Sequence, residues 1–165
     1  MDIKAFHEGE FRQRYENLMT SGHVAGHHDN FLWLFLLVIA LGAHYLSLSV
    51  SPEEPCQALL TLSGQLLSEI EYMFLRITGR PNVEAVQICI LLGSFHLFNG
   101  RLAVGMGVLG SGIKIAQVIG LHRESMWQSV SEVSRETRRR SWWALEVFDK
   151  HVLHTEYLLI TSLVD

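Results

Sequence analysis

Two motifs in the chain have residue types and spacings that could support chemistry. His23, His27 and His28 form an H-x-x-x-H-H pattern before a long apolar stretch, similar to one histidine box of a membrane di-iron enzyme. Residues 105–110 read G-x-G-x-x-G, the pattern of a dinucleotide-binding loop. Each motif would require particular neighbouring elements in order to act, and the rest of the sequence shows whether they are present.

The histidine motif lacks the further ligands that a di-iron centre requires. The chain contains nine histidines, but the only other close pair is His151 and His154. Three more are isolated, namely His44, His96 and His122. No carboxylate–histidine pattern is predicted on facing helices. We therefore predict a hydrated, histidine-rich loop before the apolar stretch and no metal centre in this chain.

The glycine motif also lacks its required context. A dinucleotide site needs the glycine loop directly after a strand, so that the phosphates meet the N-terminus of the next helix. Here the loop follows an Asn99-Gly100 turn, and the four residues between turn and motif are too few for a first strand. Each glycine inside a helix costs about 1 kcal/mol relative to alanine. We interpret the motif as a place where a neighbouring helix packs closely, with a weak helix start at Gly105 and Gly107.

Composition indicates one domain with part of its surface covered by something else. The 165 residues are 48% hydrophobic and only 18% charged, below the usual quarter. Thirteen Lys and Arg against seventeen Asp and Glu give a net charge of −4, which excludes a global attraction to nucleic acid or anionic lipid. Cys56 and Cys89 lie in apolar helical patterns, which predicts two buried free thiols and a reducing compartment. The charged N-terminal segment does not resemble a secretory signal.

Hydrophobic periodicity predicts an all-α fold, a stack of about six antiparallel helices in one domain. The second helix covers residues 31–49, and a capping box at residues 51–54 opens the third. Asn82 caps the fourth, the Asn99-Gly100 turn leads into the fifth, and the last runs from Glu132 to His151. The first helix carries Phe11, Tyr15, Leu18 and Met19 on one face. The third carries Leu59, Leu62, Leu66, Ile70, Met73 and Ile77, and the fifth carries Leu109, Ile113 and Ala116.

Residues 31–50 leave a second interpretation open, that of a small integral membrane protein. No Asp, Glu, Lys or Arg occurs between Asn30 and Pro52, and twenty helical residues span about 30 Å. However, no Lys or Arg closely flanks the segment to anchor it. A central helix of a soluble helical domain is equally apolar on all sides.

A basic run at the start of the last helix has two possible roles. Arg135, Arg138, Arg139 and Arg140 could form a localisation signal or a phosphate-binding patch. Because the run opens an amphipathic helix, we predict a partly solvated face, with an arginine paired to an acid of the domain. Acid-first pairs at i,i+4, Glu136 with Arg140 and Glu146 with Lys150, support that helix.

Residues 91–125 and 135–150 resemble the middle homology region, or regulatory domain, of fungal zinc-cluster transcription factors. In that family a helix ending in A-x-x-hydrophobic-Gly-Leu-His-Arg precedes a variable loop and an Arg-Arg-x-Trp-Trp helix that closes on Asp-Arg or Asp-Lys. Residues 83–95 and 38–46 resemble two earlier helices of the family, so the likeness covers residues 31–150. The corresponding positions are Gly110, Ala116, Gly120, Leu121, His122, Arg123, Glu136, Arg139, Arg140, Trp142, Trp143, Asp149 and Lys150.

The motif residues have intelligible structural roles. Gly120 is predicted to end the fifth helix as a left-handed C′ residue, with Leu121 folding back on Ala116. His122 and Arg123 would lie beside carbonyls at the helix C-terminus, where cations are favoured. Trp142 and Trp143 point about 100° apart, so one can enter the core while the other covers a neighbouring helix. None of these residues forms a nucleophile, an acid–base pair or a metal site.

The resemblance implies a regulatory domain at residues 31–152, after an N-terminal helix and histidine-rich loop at 1–30 and before a divergent tail at 153–165. It implies a non-enzymatic role in transcription regulation in the nucleus, with an effector small molecule or a partner regulator as possible partners and no membrane. The family binds DNA through a six-cysteine zinc cluster, which this chain lacks, so no cofactor is expected in it.

The tail departs from the family's usual Gly-Arg-Pro continuation. We expect a domain shortened at both ends, as a fragment or as a standalone product, whose uncovered apolar surface promotes self-association.

Overall fold

A computed structural model describes residues 8–21, 30–50, 56–127 and 130–162. These ranges contain α-helices and no strand, so the predicted all-α fold is confirmed. The helices are α1 (Glu8–Ser21), α2 (Asn30–Val50), α3 (Gln57–Tyr72), α4 (Phe74–Thr78), α5 (Val83–Phe98), α6 (Leu102–Val118) and α7 (Glu132–Ser162). A 3₁₀ turn, Glu124–Met126, lies between α6 and α7.

The predicted third helix consists of two pieces. It breaks at Met73, and α4 follows as a five-residue helix that still buries Ile77. On α3 the core-facing position is Ser63 rather than Leu62, which is 41% exposed, so the predicted face was wrong there. The capping box at residues 51–54 lies outside the described residues, and α3 begins at Gln57 with Cys56 in the N-cap position.

The core is built around α5, which contacts α2, α6 and α7. Six consecutive residues of α5, positions 85–90, are buried, as expected for a helix enclosed on all sides. Helix α2 is less enclosed than α5. One face of α2 is buried, but its opposite face exposes Ile39, Tyr45 and Leu46.

Helix α1 packs its aromatic face against the start of α2. The ring centroids of Phe11 and Phe31 are 5.5 Å apart, and those of Tyr15 and Phe35 are 5.3 Å apart. Met19, predicted on this face, is instead exposed, because the contact extends over only part of α1.

Asparagine side chains join α2 to the beginning of α5. The Asn82 side chain accepts a hydrogen bond from the Ala85 backbone N–H at 2.8 Å, which confirms it as the N-cap of α5. The buried Asn30 side chain donates to the Asn82 side chain at 2.9 Å and to the Arg80 carbonyl at 3.0 Å. This network fixes the entry of α5 relative to α2.

Small residues let α5 and α6 approach closely. A Cβ atom on Gly105 would lie 2.9 Å from the Gly93 carbonyl oxygen, and one on Gly112 would lie 2.7 Å from the Cβ of Cys89. The close-packing interpretation of the glycine motif is therefore correct for Gly105. It was wrong for the other two motif glycines, at 107 and 110, because no atom lies within 4 Å of their added Cβ positions.

The two cysteines are free and differ in environment. Cys89 is buried in the core, and this burial raises the pKa of its thiol to about 12. Cys56 is exposed just before α3, so the prediction of two buried thiols was wrong for this residue.

Candidate functional site

The end of α6 has the geometry expected from its Gly-Leu sequence. Gly120 has φ of +72°, a left-handed conformation that a side chain strains. The Leu121 N–H donates to the Ala116 carbonyl at 2.8 Å, and the Gly120 N–H donates to the Gln117 carbonyl at 3.1 Å. These two bonds form a Schellman cap, and they place the side chain of Leu121 in the core.

The connection from α6 to α7 is anchored by a tryptophan. Trp127 is buried, and its indole N–H donates to the Gly120 carbonyl at 3.0 Å. The guanidinium carbon of Arg138 lies 5.9 Å from the centre of the Trp127 ring. Trp127 thus links the C-terminus of α6 to the exposed start of α7.

A network of ion pairs holds the same connection to α7. Arg139 contacts Glu124 at 2.5 Å and Glu136 at 2.9 Å, and Arg140 contacts Glu136 at 2.7 Å. The hydrogen bond from Arg139 lowers the pKa of Glu124 and raises that of Arg139, while the hydrogen bond from Arg140 lowers the pKa of Glu136. Arg135 also lies 3.9 Å from Glu132. The predicted pairing of this basic face with acids of the domain is found here.

The paired tryptophans of α7 point in different directions, as their spacing requires. Trp142 packs against the core, and its ring centre lies 5.8 Å from that of the exposed His122. Trp143 is 56% exposed, so the expectation that it covers a neighbouring helix was wrong. The Arg123 side chain donates to the His122 ring at 2.9 Å. Asp149 is exposed near the end of the described side chains.

The family-motif residues therefore lie together at the α6–α7 connection, with three exceptions. Gly110 lies on an exposed part of α6. Asp149 and Lys150 lie farther along α7, where Lys150 pairs with Glu146 at 3.4 Å. The motif side chains cap helices, pack or form ion pairs. None of them lines the cavity described next.

A cavity of about 410 Å³ lies between α1, α2, the start of α5 and the first turns of α7. Apolar side chains, including Phe11, Phe31 and Leu34, form one part of its wall. Gln87, which is only 4% exposed, contributes an amide from α5. This volume is within the range of small-molecule sites.

The charged side chains of the cavity wall come from three helices. Arg14 forms an ion pair with Glu84, and its guanidinium carbon lies 4.1 Å from the centre of the Phe31 ring. Arg138 contributes a second guanidinium from α7, one turn after Ser134. Sequence reasoning placed Arg138 only in a solvated basic face and did not connect it with α1 or α5.

The described residues do not combine into a metal site. No group of three or more His, Cys, Asp or Glu in the described ranges could hold a metal ion. The motif histidines 23, 27 and 28 lie outside those ranges. His96 is buried on α5 with the Glu71 carboxylate 3.2 Å from its Nε2, and of the two cysteines Cys89 is buried whereas Cys56 is exposed. The described donors thus do not fit a zinc cluster.

Helix α2 is long and apolar enough to cross a membrane by length and composition, and among the described helices it is the one that meets this test. Phe31, Leu34, Leu37 and Ala40 are each buried on its inner face. Because these side chains pack into a core shared with α5, α2 has the character of a helix within a globular domain. The membrane interpretation is not favoured.

The all-helical architecture, with the Gly-Leu-His-Arg and Trp-Trp motifs at the α6–α7 connection, agrees with the class of helical domain that the sequence resemblance implies. The family model described as "Fungal specific transcription factor domain" matches residues 3–152, and the chain belongs to this family. The match also includes residues before position 31, where sequence reasoning placed the start of the domain.

Curated relatives are transcriptional regulators of fungi. Transcription factor macR of Penicillium terrestre is 51% identical over 37 residues, 22% of this chain and 4% of macR. Transcriptional regulator nsrM of Aspergillus novofumigatus is 38% identical over 56 residues, 34% of this chain and 8% of nsrM. Thiamine repressible genes regulatory protein thi1 of Schizosaccharomyces pombe is 27% identical over 128 residues, 76% of this chain and 16% of thi1. The chain thus spans less than a fifth of each of these relatives. No solved structure matches it.

Proposed function

We propose that this domain modulates the activity of a nuclear transcription factor and has no catalytic activity of its own. The observation that carries this proposal is the family match over residues 3–152. The names of the relatives, which are transcription factors and regulators, support a nuclear location.

The chemistry of the described cavity supports a binding role rather than catalysis. Its lining includes the hydroxyls of Ser134 and Thr137, but no histidine, cysteine or aspartate that could activate them. Its one carboxylate, that of Glu84, is paired with Arg14. A nucleophile–base pair is therefore missing from the described wall of this cavity.

DNA recognition and zinc binding belong, in this proposal, to a different part of the parent protein. The matched segments cover only 4–16% of the three relatives described above, which leaves room for such a module in proteins of this kind. Sequence readout requires an element that places several side chains on base edges. Cys56 is exposed and Cys89 is buried, so these two cysteines do not form a zinc cluster that could support such an element.

A reporter assay tests the regulatory role. The full chain is inserted between a heterologous DNA-binding domain and an activation domain, and compared with a Gly/Ser linker of equal length. We expect the inserted chain to change reporter output at equal protein abundance and equal promoter occupancy. Identical output from both fusions would contradict the proposal.

A further inference from the structure

The cavity between α1, α2, α5 and α7 is lined by none of the family-motif positions named above, although Arg138 lies beside two of them on α7. We propose that it binds a small amphipathic carboxylate, with the apolar body against Phe11, Phe31 and Leu34 and the carboxylate on Arg138. The proposal adds a ligand input to the regulatory role proposed above and rests on that role for its biological meaning. The binding event itself does not depend on it.

Arg138 differs from the other arginines at the start of α7. Arg139 and Arg140 pair with glutamates at 2.5–2.9 Å, and Arg135 has glutamates at 3.9 and 4.0 Å. Arg138 forms no ion pair with any residue in the described ranges, and its recorded contact there is the face of the Trp127 ring. The arginine that faces the cavity is thus the member of the run available to an external anion.

The charge of the described wall favours a monoanion. Two guanidinium groups, those of Arg14 and Arg138, face the cavity with one carboxylate, that of Glu84, so the net wall charge is +1. The Arg14–Glu84 pair neutralises itself, which leaves the positive charge at Arg138. A single carboxylate matches this charge, whereas a phosphate dianion would keep an excess negative charge beside Glu84.

The geometry of α7 also suits a carboxylate. A guanidinium is a planar fork of N–H donors that matches the two oxygens of a carboxylate. Ser134 lies four residues before Arg138, so its hydroxyl is on the same face of α7 and lines the same cavity. Beside them, the aromatic rings of Phe11 and Phe31 offer a surface for an apolar or aromatic body.

Binding of such a molecule would connect elements that are distant in sequence. Arg138 lies on α7 and contacts Trp127, which in turn bonds to the C-terminus of α6. Phe11 and Phe31 belong to α1 and α2. A ligand that contacts Arg138 and the two phenylalanine rings would connect the start of α7 with α1 and α2. Because it binds only the folded chain, it would stabilise the native domain.

The test uses the purified full chain and two matched probes, 3-phenylpropionate and its neutral amide, 3-phenylpropanamide. Titrations are followed by ¹H–¹⁵N correlation spectra. We expect the carboxylate to shift amides around the cavity and to bind at least about tenfold more tightly than the amide. Arg138→Gln should abolish this discrimination, and Arg138→Lys should retain part of it.

Arg140→Gln is the matched control, because it removes the same charge from the same helix at a residue paired with Glu136. It should leave the preference for the carboxylate unchanged. Ser134→Trp fills the cavity and should weaken binding of both probes, which provides a second test if Arg138→Gln does not fold.

Equal affinity for the two probes, unchanged discrimination in Arg138→Gln, or shifts that map away from the cavity would each overturn the proposal. The reporter assay is independent of these titrations. A domain that alters transcription but binds neither probe would therefore contradict the ligand site and leave the regulatory role standing.

Discussion

His96 is fully buried on α5, where its ring packs beside polar and charged neighbours. Its Nε2 lies 3.2 Å from a carboxylate oxygen of Glu71, and Arg101 contacts the same oxygen at 3.2 Å. Neither ring nitrogen forms a hydrogen bond with a described residue. Burial lowers the pKa of His96 below its usual 6.5; the Glu71 carboxylate opposes this shift, and Arg101 adds to it.

The lowered pKa of His96 predicts that the domain loses stability as the pH falls below about 6.5. In that range the unfolded chain binds a proton at this histidine that the folded chain resists, so the free energy of unfolding decreases toward acid. One such proton contributes at most about 1.4 kcal/mol per pH unit. Chemical denaturation between pH 7.5 and pH 5.5 measures the slope.

The variant His96→Gln removes the titrating group, and the slope should become flatter than in the wild type. His122→Gln is the control, since the same change at this exposed histidine removes no buried base. Equal slopes for wild type and His96→Gln would show that His96 is not the source.

The glycines of α6 provide a second prediction at the scale of single residues. A methyl group at Gly112 would lie 2.7 Å from the Cβ of Cys89 and 3.2 Å from the Leu145 side chain, so Gly112→Ala should destabilise the domain by about 1–3 kcal/mol. At Gly110 the space is open, and Gly110→Ala should stabilise the helix by up to about 1 kcal/mol. Urea denaturation of the two variants gives the comparison, and the same sign for both would contradict the α5–α6 packing.

The boundary of α6 can be tested as an element through its Schellman cap. Gly120 has φ of +72°, so Gly120→Val should destabilise the domain by more than about 1 kcal/mol, and Gly120→Asn should be milder because asparagine tolerates this conformation. Gly42→Val places the same side chain on a helical glycine with open space around it and serves as the control. Melting temperatures of the three variants provide the measurement. An unchanged value for Gly120→Val would mean that the left-handed cap does not limit stability.

The features predicted from sequence are those that neighbouring residues determine. The Asn82 cap and the left-handed Gly120 depend on positions within a few residues, and both are as predicted. The break at Met73 and the burial of Trp127 were not predicted, because periodicity within one segment contains no information about contacts with other helices. To predict the cavity, one would have to know that Arg14 contacts Glu84, a residue 70 positions away in the sequence. The polar residues that line the cavity do not form a known motif spacing, so no sequence pattern pointed to them.

At the scale of the whole molecule, the distribution of apolar surface predicts self-association. Tyr72, Leu75, Phe98 and Val118 are each at least 74% exposed. Apolar surface of this kind drives association when nothing covers it. We expect the purified chain to show a mass that increases with concentration in light scattering.

Leu75→Glu and Phe98→Glu should shift this equilibrium toward the monomer, whereas Gln65→Glu, at an exposed polar position of α3, should not. A monomer at every concentration would contradict the prediction.

Expressed in cells, the chain should be released from membranes by an alkaline carbonate wash, and retention in the bilayer would instead support the membrane interpretation.

The overall charge of the chain predicts that it does not bind DNA sequence-specifically by itself. Acids outnumber Lys and Arg by seventeen to thirteen, so the net charge provides no general attraction to DNA. The local arginine run is also largely neutralised, since Arg139 and Arg140 pair with Glu124 and Glu136. The few remaining phosphate contacts would release few counterions, and their contribution would be small at physiological salt.

Titration of the purified chain against labelled duplexes at about 150 mM salt, with and without zinc, measures this directly. We expect weak binding that does not depend on DNA sequence and decreases further as salt is raised. The variant Glu124→Gln with Glu136→Gln sharpens the test, because it releases Arg139 and Arg140 from their partners. This double variant should bind duplexes more tightly than the wild type at low salt, yet still without sequence preference, because charge positions a protein on the backbone and base contacts specify the site. Tight, sequence-dependent binding by the wild-type chain would show that the DNA-reading element lies within these residues.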